Sequence, residues 1–319
     1  MSFPQRLPRL FVLLVLISAS LTPITASATG FVSDVVDRLR DSEIEFQRRG
    51  SNAPFSPLGY LGGRYYSEAR LTDERDDRTL DFQQTNASAY GGLPAWIGQR
   101  DAVFAGGWLS RSRFSADDPL VDDFSVDSVG IGAGWLRQLR PQWQAAAFVL
   151  PIWHRSSVAD SDWRVQTMGG AFARYIQHEN LWWAFGVFAN SAIDESYVLP
   201  YAGASWLINE RWTLSAILPW PAILYAPNRD WLFRLGASPS GASWAISPGN
   251  DEVAINLSGW NFGVTAERHL TGYLWLAAEG GIGGLRGVRL NRRSGSLDSP
   301  DINVGSNGYV GLSLRLRVR

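Results

Sequence analysis

His154 and Ser156 are two residues apart, so on an extended strand both side chains point to one face. A serine beside an imidazole base is the start of a nucleophilic site for acyl transfer, provided that an acid orients the ring. The neighbours Trp153, Arg155 and Ser157 complete no known signature, and a polar strand end beside Asp160-Ser161-Asp162 accounts for the pair without chemistry. A second set, Arg234, Glu267, Glu279, Arg315 and Arg317, places charges of both signs at alternating positions. The pairs Asp117-Asp118 and Asp122-Asp123 offer oxygens to a divalent cation bridging lipopolysaccharide phosphates, but no spacing here makes a calcium loop, and solvated loop charge is the simpler reading. The run Asp73 to Arg78 reads as a solvated turn in the same way. Gly280-Gly281-Ile282-Gly283-Gly284 lacks the lysine and helix of a phosphate loop. With three histidines and no cysteine, neither a metal site nor a cofactor is expected, and no residue is assigned as catalytic.

The elements that must hold these groups are strands. In the last segment Val310, Leu312, Leu314, Leu316 and Val318 share one face, while Tyr309, Gly311, Ser313, Arg315, Arg317 and Arg319 share the other. Three arginines opposite a continuous aliphatic face call for hydrocarbon on one side and a wet lumen on the other. Trp231 to Ser238, Trp260 to Glu267, Leu274 to Ile282 and Ser128 to Trp135 alternate likewise. A phase change between Val253-Ile255-Leu257 and Trp260-Phe262 predicts a bulge near Gly259. Short polar turns are followed by Trp143, Trp163, Trp182, Trp212, Trp231 and Tyr273, amphipathic rings suited to a membrane–water interface. The pattern predicts strands near 58–71, 79–97, 101–114, 124–139, 142–156, 163–177, 181–193, 197–208, 211–225, 230–246, 252–268, 272–290 and 307–319, with loops at 114–124 and 291–306. Thirteen is odd, and single-chain bacterial barrels are even. Leaving the first segment out gives twelve, the favoured count. Splitting the ninth at Pro219-Trp220-Pro221 gives fourteen.

The expected fold is therefore all-β: a closed antiparallel transmembrane β-barrel of about 12 strands (10–14), with a short N-terminal helix. Arg6 and Arg9, the apolar run Leu10 to Ile17 and Ala26-Ser27-Ala28 have the form of a cleaved signal peptide over 1–28. Residues 29–56 are read as a periplasmic helix and linker, helical over 31–48 and able to cap the lower mouth. Residues 57–319 are read as the barrel. A net charge of −1 gives no reason to expect nucleic acid. An α-helical membrane protein is disfavoured because the chain after 28 has no long apolar run.

Leu199-Pro200-Tyr201-Ala202-Gly203, Asn209-Glu210-Arg211-Trp212-Thr213-Leu214, Leu218-Pro219, Tyr225, Leu257-Ser258-Gly259-Trp260 and Glu279-Gly280-Gly281 are similar to a family of bacterial outer-membrane β-barrel proteins of unknown function. The resemblance covers roughly residues 120–319. It implies a barrel in the outer membrane of a Gram-negative bacterium, inserted by the barrel-assembly machinery among outer-membrane lipid and lipopolysaccharide, with no established activity. Such barrels commonly end in an aromatic residue, whereas this chain ends Leu316-Arg317-Val318-Arg319. The expected function is a narrow passive, porin-like channel or a structural barrel without catalysis. Arg234, Glu267, Glu279, Arg315 and Arg317 face its lumen, and their mixed signs favour a packed ion network over a selectivity ring. Two alternatives are an enzyme acting on outer-membrane lipid acyl chains through His154 and Ser156, and a soluble secreted β-sandwich whose tryptophans bind ligand.

Overall fold

The alternation from residue 58 onward resolves into one antiparallel sheet that closes on itself. The computed structural model describes residues 35, 37–38, 41–45, 50–73, 78–116, 122–158, 161–192, 195–246, 253–292 and 302–317. Its strands are β1 (Gly59–Asp73), β2 (Arg78–Ile97), β3 (Asp101–Ala116), β4 (Phe124–Arg140), β5 (Trp143–Ser156), β6 (Arg164–His178), β7 (Leu181–Ala192), β8 (Glu195–Asn209), β9 (Trp212–Leu218), β10 (Ala222–Asn228), β11 (Trp231–Ile246), β12 (Val253–Thr271), β13 (Leu274–Arg292), β14 (Ile302–Val304) and β15 (Asn307–Leu316). From β1 to β14 each pairs with its sequence neighbour, β13 also pairs with β15, and β1 closes the ring by pairing with β2 on one edge and β15 on the other, as Tyr60 does opposite both Tyr90 and Arg315.

The two short pieces β14 and β15 run between the same partners, β13 and β1, separated only where the Gly305 N–H donates to the Arg70 carbonyl at 2.8 Å. They are one interrupted strand, so the barrel has fourteen strands and not about twelve. Two things correct the count. The first segment is inside the ring. The expected ninth strand is two, β9 and β10, because Pro219 and Pro221 have no N–H to give a ladder and the chain reverses between them, with the Trp220 N–H on the Ile217 carbonyl at 2.9 Å. The register of β12 against β13 shifts between Ser258 and Trp260, the bulge expected at Gly259.

Apolar side chains on the outer face stand exposed around the ring, among them Ile131, Val187, Leu235, Phe262, Val310 and Leu312. A soluble sandwich would bury this face against a second sheet; here a single closed sheet turns it outward. At the end of the barrel with short turns, Trp96, Trp143, Trp183, Trp206 and Trp212 are exposed, and the Trp183 indole N–H finds Gln177 Oε1 at 2.8 Å. At the other end, with the longer connections, Trp153 and Trp163 are exposed.

The expected N-terminal helix over 31–48 is not supported. Val35, Asp37 and Arg38 have helical backbone and the Asp41 N–H donates to the Asp37 carbonyl at 2.9 Å, but Glu43–Glu45 is irregular and held by side chains of the barrel mouth described below; residues 31–34, 36, 39–40 and 46–48 lie outside the described residues. The signal segment 1–28, Asp117-Asp118 and most of the 291–306 loop also lie outside them, while Asp122 and Asp123 are exposed.

Candidate functional site

Near the short-turn end the inner face is charged. Glu267 on β12 has no solvent exposure. Its Oε1 accepts from Arg315 Nη1 at 2.6 Å and Arg317 Nη2 at 2.8 Å, and its Oε2 from Arg317 Nε at 2.7 Å. One residue pair higher, Glu279 on β13 is held by Arg64 Nε, with Arg64 Nη2 at 3.4 Å and Arg315 Nη2 at 3.7 Å. Strand register explains the meeting: Glu279 lies opposite Gly311, and a Cβ built at 311 would stand 2.9 Å from Glu279 Oε1. The glycine leaves the carboxylate its room inside the barrel. Gly263 does the same for Tyr309, whose hydroxyl would be 2.2 Å from a Cβ there.

Of the five charged positions Arg234, Glu267, Glu279, Arg315 and Arg317, the last four are buried side by side and Arg234 is half-buried. Four join the network. Arg234 is close enough to feel Arg315, Glu267 and Glu279, yet its only hydrogen bond among the described residues is from Nη2 to the Ala237 carbonyl at 3.2 Å. Arg64 and the stacked inner-wall rings Tyr60, Tyr90 and Trp108 were not singled out by sequence reasoning, although the alternation of Tyr60, Gly62, Arg64 and Tyr66 against Leu61, Gly63 and Tyr65 carries the signal. Counting Arg64, three arginines meet two carboxylates, and Arg234 beside them makes four.

A strap formed by residues 43–45 and 50–58 ties this network to the rest of the mouth. The Glu43 N–H donates to the Gln99 carbonyl at 2.8 Å, and Arg100 pairs with the Glu43 carboxylate at 2.6 Å. The Glu45 N–H donates to Gln138 Oε1 at 3.1 Å, while its carbonyl accepts from Gln144 Nε2 at 2.8 Å and from Arg174 Nη2. Further on, the Asn52 N–H reaches the Glu210 carbonyl at 2.8 Å, Ala53 packs on buried Ala226, Leu232 and Trp275, and the Phe55 carbonyl accepts from Arg317 Nη1. These contacts run from the β2–β3 turn through β4, β5 and β6 to β10, β11, β13 and the end of β15, so the strap touches opposite walls. β11 also comes within 8 Å, Cα to Cα, of β5 and β6, which pinches the lumen.

His154 and Ser156 do share the inner face of β5, but they do not form a dyad. His154 Nδ1 meets Ser128 Oγ at 2.8 Å and Nε2 meets Gln166 Oε1 at 2.8 Å, and Gln166 Nε2 donates to Asn190 at 2.6 Å. Ser156 Oγ accepts the Val158 N–H at 3.2 Å. Both ring nitrogens are occupied by neutral groups across neighbouring strands, and the group where an orienting acid would stand is an amide. Trp182 is a correction: it faces the lumen, with the Arg174 guanidinium 3.9 Å from its ring, and Trp183 takes the outer position. A doubled tryptophan hides the phase, because either indole satisfies the turn-then-aromatic pattern. Trp143, Trp163 and Trp212 are exposed on the outer side, while Trp231 and Tyr273 are half-buried at the short-turn rim.

On the outer face near the long-loop end, Leu109, Val129 and Trp153 form one exposed row across β3, β4 and β5. The next row up is Arg111, Asp127 and Arg155, with Arg111 bidentate on Asp127 at 2.5 and 2.7 Å and Arg155 exposed. Apolar surface changes to charge over a single residue pair.

A family model described as Domain of unknown function (DUF6268) matches residues 121–317. No curated protein matches the chain. Among solved structures, it is similar to a deletion mutant of the monoaromatic hydrocarbon channel TodX at 9% identity and a TM-score of 0.44, over 83% of this chain and 91% of that one. It is also similar to the COG4313 outer membrane channel of Pseudomonas putida F1 at 13% identity and a TM-score of 0.40, over 84% and 98%. The translocator domain of the autotransporter NalP from Neisseria meningitidis matches at 10% identity and a TM-score of 0.30, over 92% and 98%. Likenesses this distant leave this chain's solute to be argued from its own residues.

Proposed function

The chain belongs to the DUF6268 family, which carries no assigned activity, and we propose from its own geometry that it is a non-enzymatic, channel-type barrel of the Gram-negative outer membrane, closed at its periplasmic mouth in this conformation. The ring with an apolar outer face supports the membrane reading, since a sheet whose first strand pairs with its last leaves neither as an edge strand in lipid. Short turns mark the periplasmic end and longer loops the outside. The row of Arg111, Asp127 and Arg155 above Leu109, Val129 and Trp153 then lies at headgroup level, where its guanidiniums suit lipopolysaccharide phosphates.

The observation that carries the channel reading is the way a segment is fastened across the mouth. The strap across it, residues 43–45 and 50–58, is held where the Glu45 N–H donates to Gln138 and where Gln144, Arg174 and Arg317 donate to the Glu45 and Phe55 carbonyls. A plug fastened by polar contacts can leave without breaking the wall; a barrel meant only as a scaffold needs no such fastening. The test is planar-bilayer conductance of the wild type against Gln138→Ala/Gln144→Ala, which removes two of the strap's fastenings and leaves every strand intact. Wild type should open rarely and the double variant should stay open longer. If both are silent at high voltage, the pinch of β11 against β5 and β6 is the decisive closure and the barrel is structural.

A further inference from the structure

The β9–β10 hairpin is too short to cross a membrane. Each strand has seven residues, whereas a tilted transmembrane strand needs about 9–11. Its neighbours continue past it. β8 pairs with β9 only from Ala202 down, and β11 with β10 only from Gly236 down, closed by the Ala237 N–H on the Pro221 carbonyl at 3.0 Å. Among the described residues, Glu195–Tyr201 of β8 and the part of β11 above Ala237 therefore carry strand partners on one edge only. The wall has a gap within the span that hydrocarbon should cover.

Prolines border this gap. Backbone N–H groups alternate edges along a strand. In β8 the Leu207 N–H points toward β7, donating to the Asn180 carbonyl at 2.7 Å, so the even-numbered residues up to Pro200 turn their nitrogens toward the gap. In β11 the Ala237 N–H points toward β10, so the nitrogen of Pro239 faces the gap too. Each proline removes a donor that lipid could not satisfy, as prolines do on sheet edges. Pro219 and Pro221 end the hairpin below. Just inside stands a connected set of rings. Trp220 at the hairpin tip meets Phe188 at 6.2 Å and Tyr201 at 6.0 Å between centroids, Tyr201 meets Phe172 at 4.7 Å, and Phe172 stacks on Phe148 at 5.9 Å. The inner-face residues Tyr197 and Leu199, beside the gap, are 40% and 37% exposed.

We propose that the gap between β8 and β11 is a side portal joining the hydrocarbon of the membrane to a ring-lined chamber, and that small apolar aromatic molecules use it. The proposal rests on the channel reading for its purpose but is tested separately from it. Flat rings offer stacking surface to an aromatic guest. An apolar guest also gains from leaving sideways into lipid, since the charged lower mouth would have to be desolvated to let it pass.

The chain has no cysteine, so single nitroxide labels can be placed at Trp220→Cys and, separately, Tyr201→Cys in liposomes, with Leu218→Cys as the lipid-facing reference and Ile152→Cys as the buried inner-wall reference. Collisional relaxation by oxygen, which concentrates in lipid, should reach at 220 and 201 the level seen at 218. Values as low as at 152, or stronger relaxation by a water-soluble nickel chelate than by oxygen, would overturn the portal. Naphthalene is the ligand probe, followed by its own fluorescence on folded, heat-modifiable protein. Trp220→Ala and Phe188→Ala should each weaken binding at least tenfold. No saturable binding to the wild type, or unchanged affinity in both variants, would overturn the ligand class. Conductance measured on the same preparations reports on the channel reading alone.

Discussion

Glu267→Gln is the sharpest perturbation of the lower mouth. The carboxylate is fully buried and accepts three hydrogen bonds from two guanidiniums, at 2.6, 2.7 and 2.8 Å. An amide of the same shape keeps one acceptor oxygen, turns an N–H₂ toward one arginine and leaves two buried positive charges short of a counter-charge. Breaking a buried ion pair by removing one partner costs about 3–5 kcal/mol, chiefly through the stranded charge. Two features place this case near the lower end. Arg315 retains Glu279 at 3.7 Å, and Arg317 retains the Phe55 carbonyl. The expected loss is about 3 kcal/mol. It would be read as a shift of the urea midpoint in detergent, followed by heat-modifiable gel mobility. The double variant Glu267→Gln/Arg317→Gln removes the stranded charge with its partner and should recover half of the loss or more. If the single variant unfolds within about 0.5 kcal/mol of the wild type and the double variant is no better, water is reaching Glu267, and a sealed mouth is the wrong description.

Gly311→Val should weaken the barrel by about 1–3 kcal/mol, because its Cβ would meet Glu279 Oε1 at 2.9 Å; thermal midpoints check this, and a neutral result would mean that the carboxylate can swing away freely. Once the strap is freed, four arginines against two carboxylates should make the open lumen prefer anions, giving a chloride-directed reversal potential in a salt gradient; Arg234→Gln, which lacks a carboxylate partner among the described residues, should reduce that preference most. Purified protein given radiolabelled outer-membrane lipid should release no fatty acid, and Ser156→Ala should match the wild type, since His154 is engaged by Ser128 and Gln166; release that disappears in the variant would restore the enzyme reading.

The strand positions were legible in the sequence because a barrel wall obeys a local rule. Each residue faces either lipid or lumen, and the period of two is written along the chain at almost every strand, including the inward Arg315 and Arg317, the inward Glu267 and Glu279, and the bulge at Gly259. The rule failed where local information was double-valued. Trp182-Trp183 satisfies the interface pattern in either phase, and 211–225 alternates well enough to pass for one strand although two prolines turn it back on itself. The N-terminal segment shows helical spacing by itself, yet Glu45 is held by Gln138, Gln144 and Arg174, partners 93 to 129 residues away, and such contacts outweigh a weak local preference. Closure decided the rest. Which arginine meets which carboxylate, that His154 bonds to Ser128 and Gln166 and not to Ser156, and that β8 and β11 run past a hairpin too short to fill the wall all depend on register between strands. Register is a property of pairs, and a single strand's alternation fixes its faces without fixing its neighbour's height.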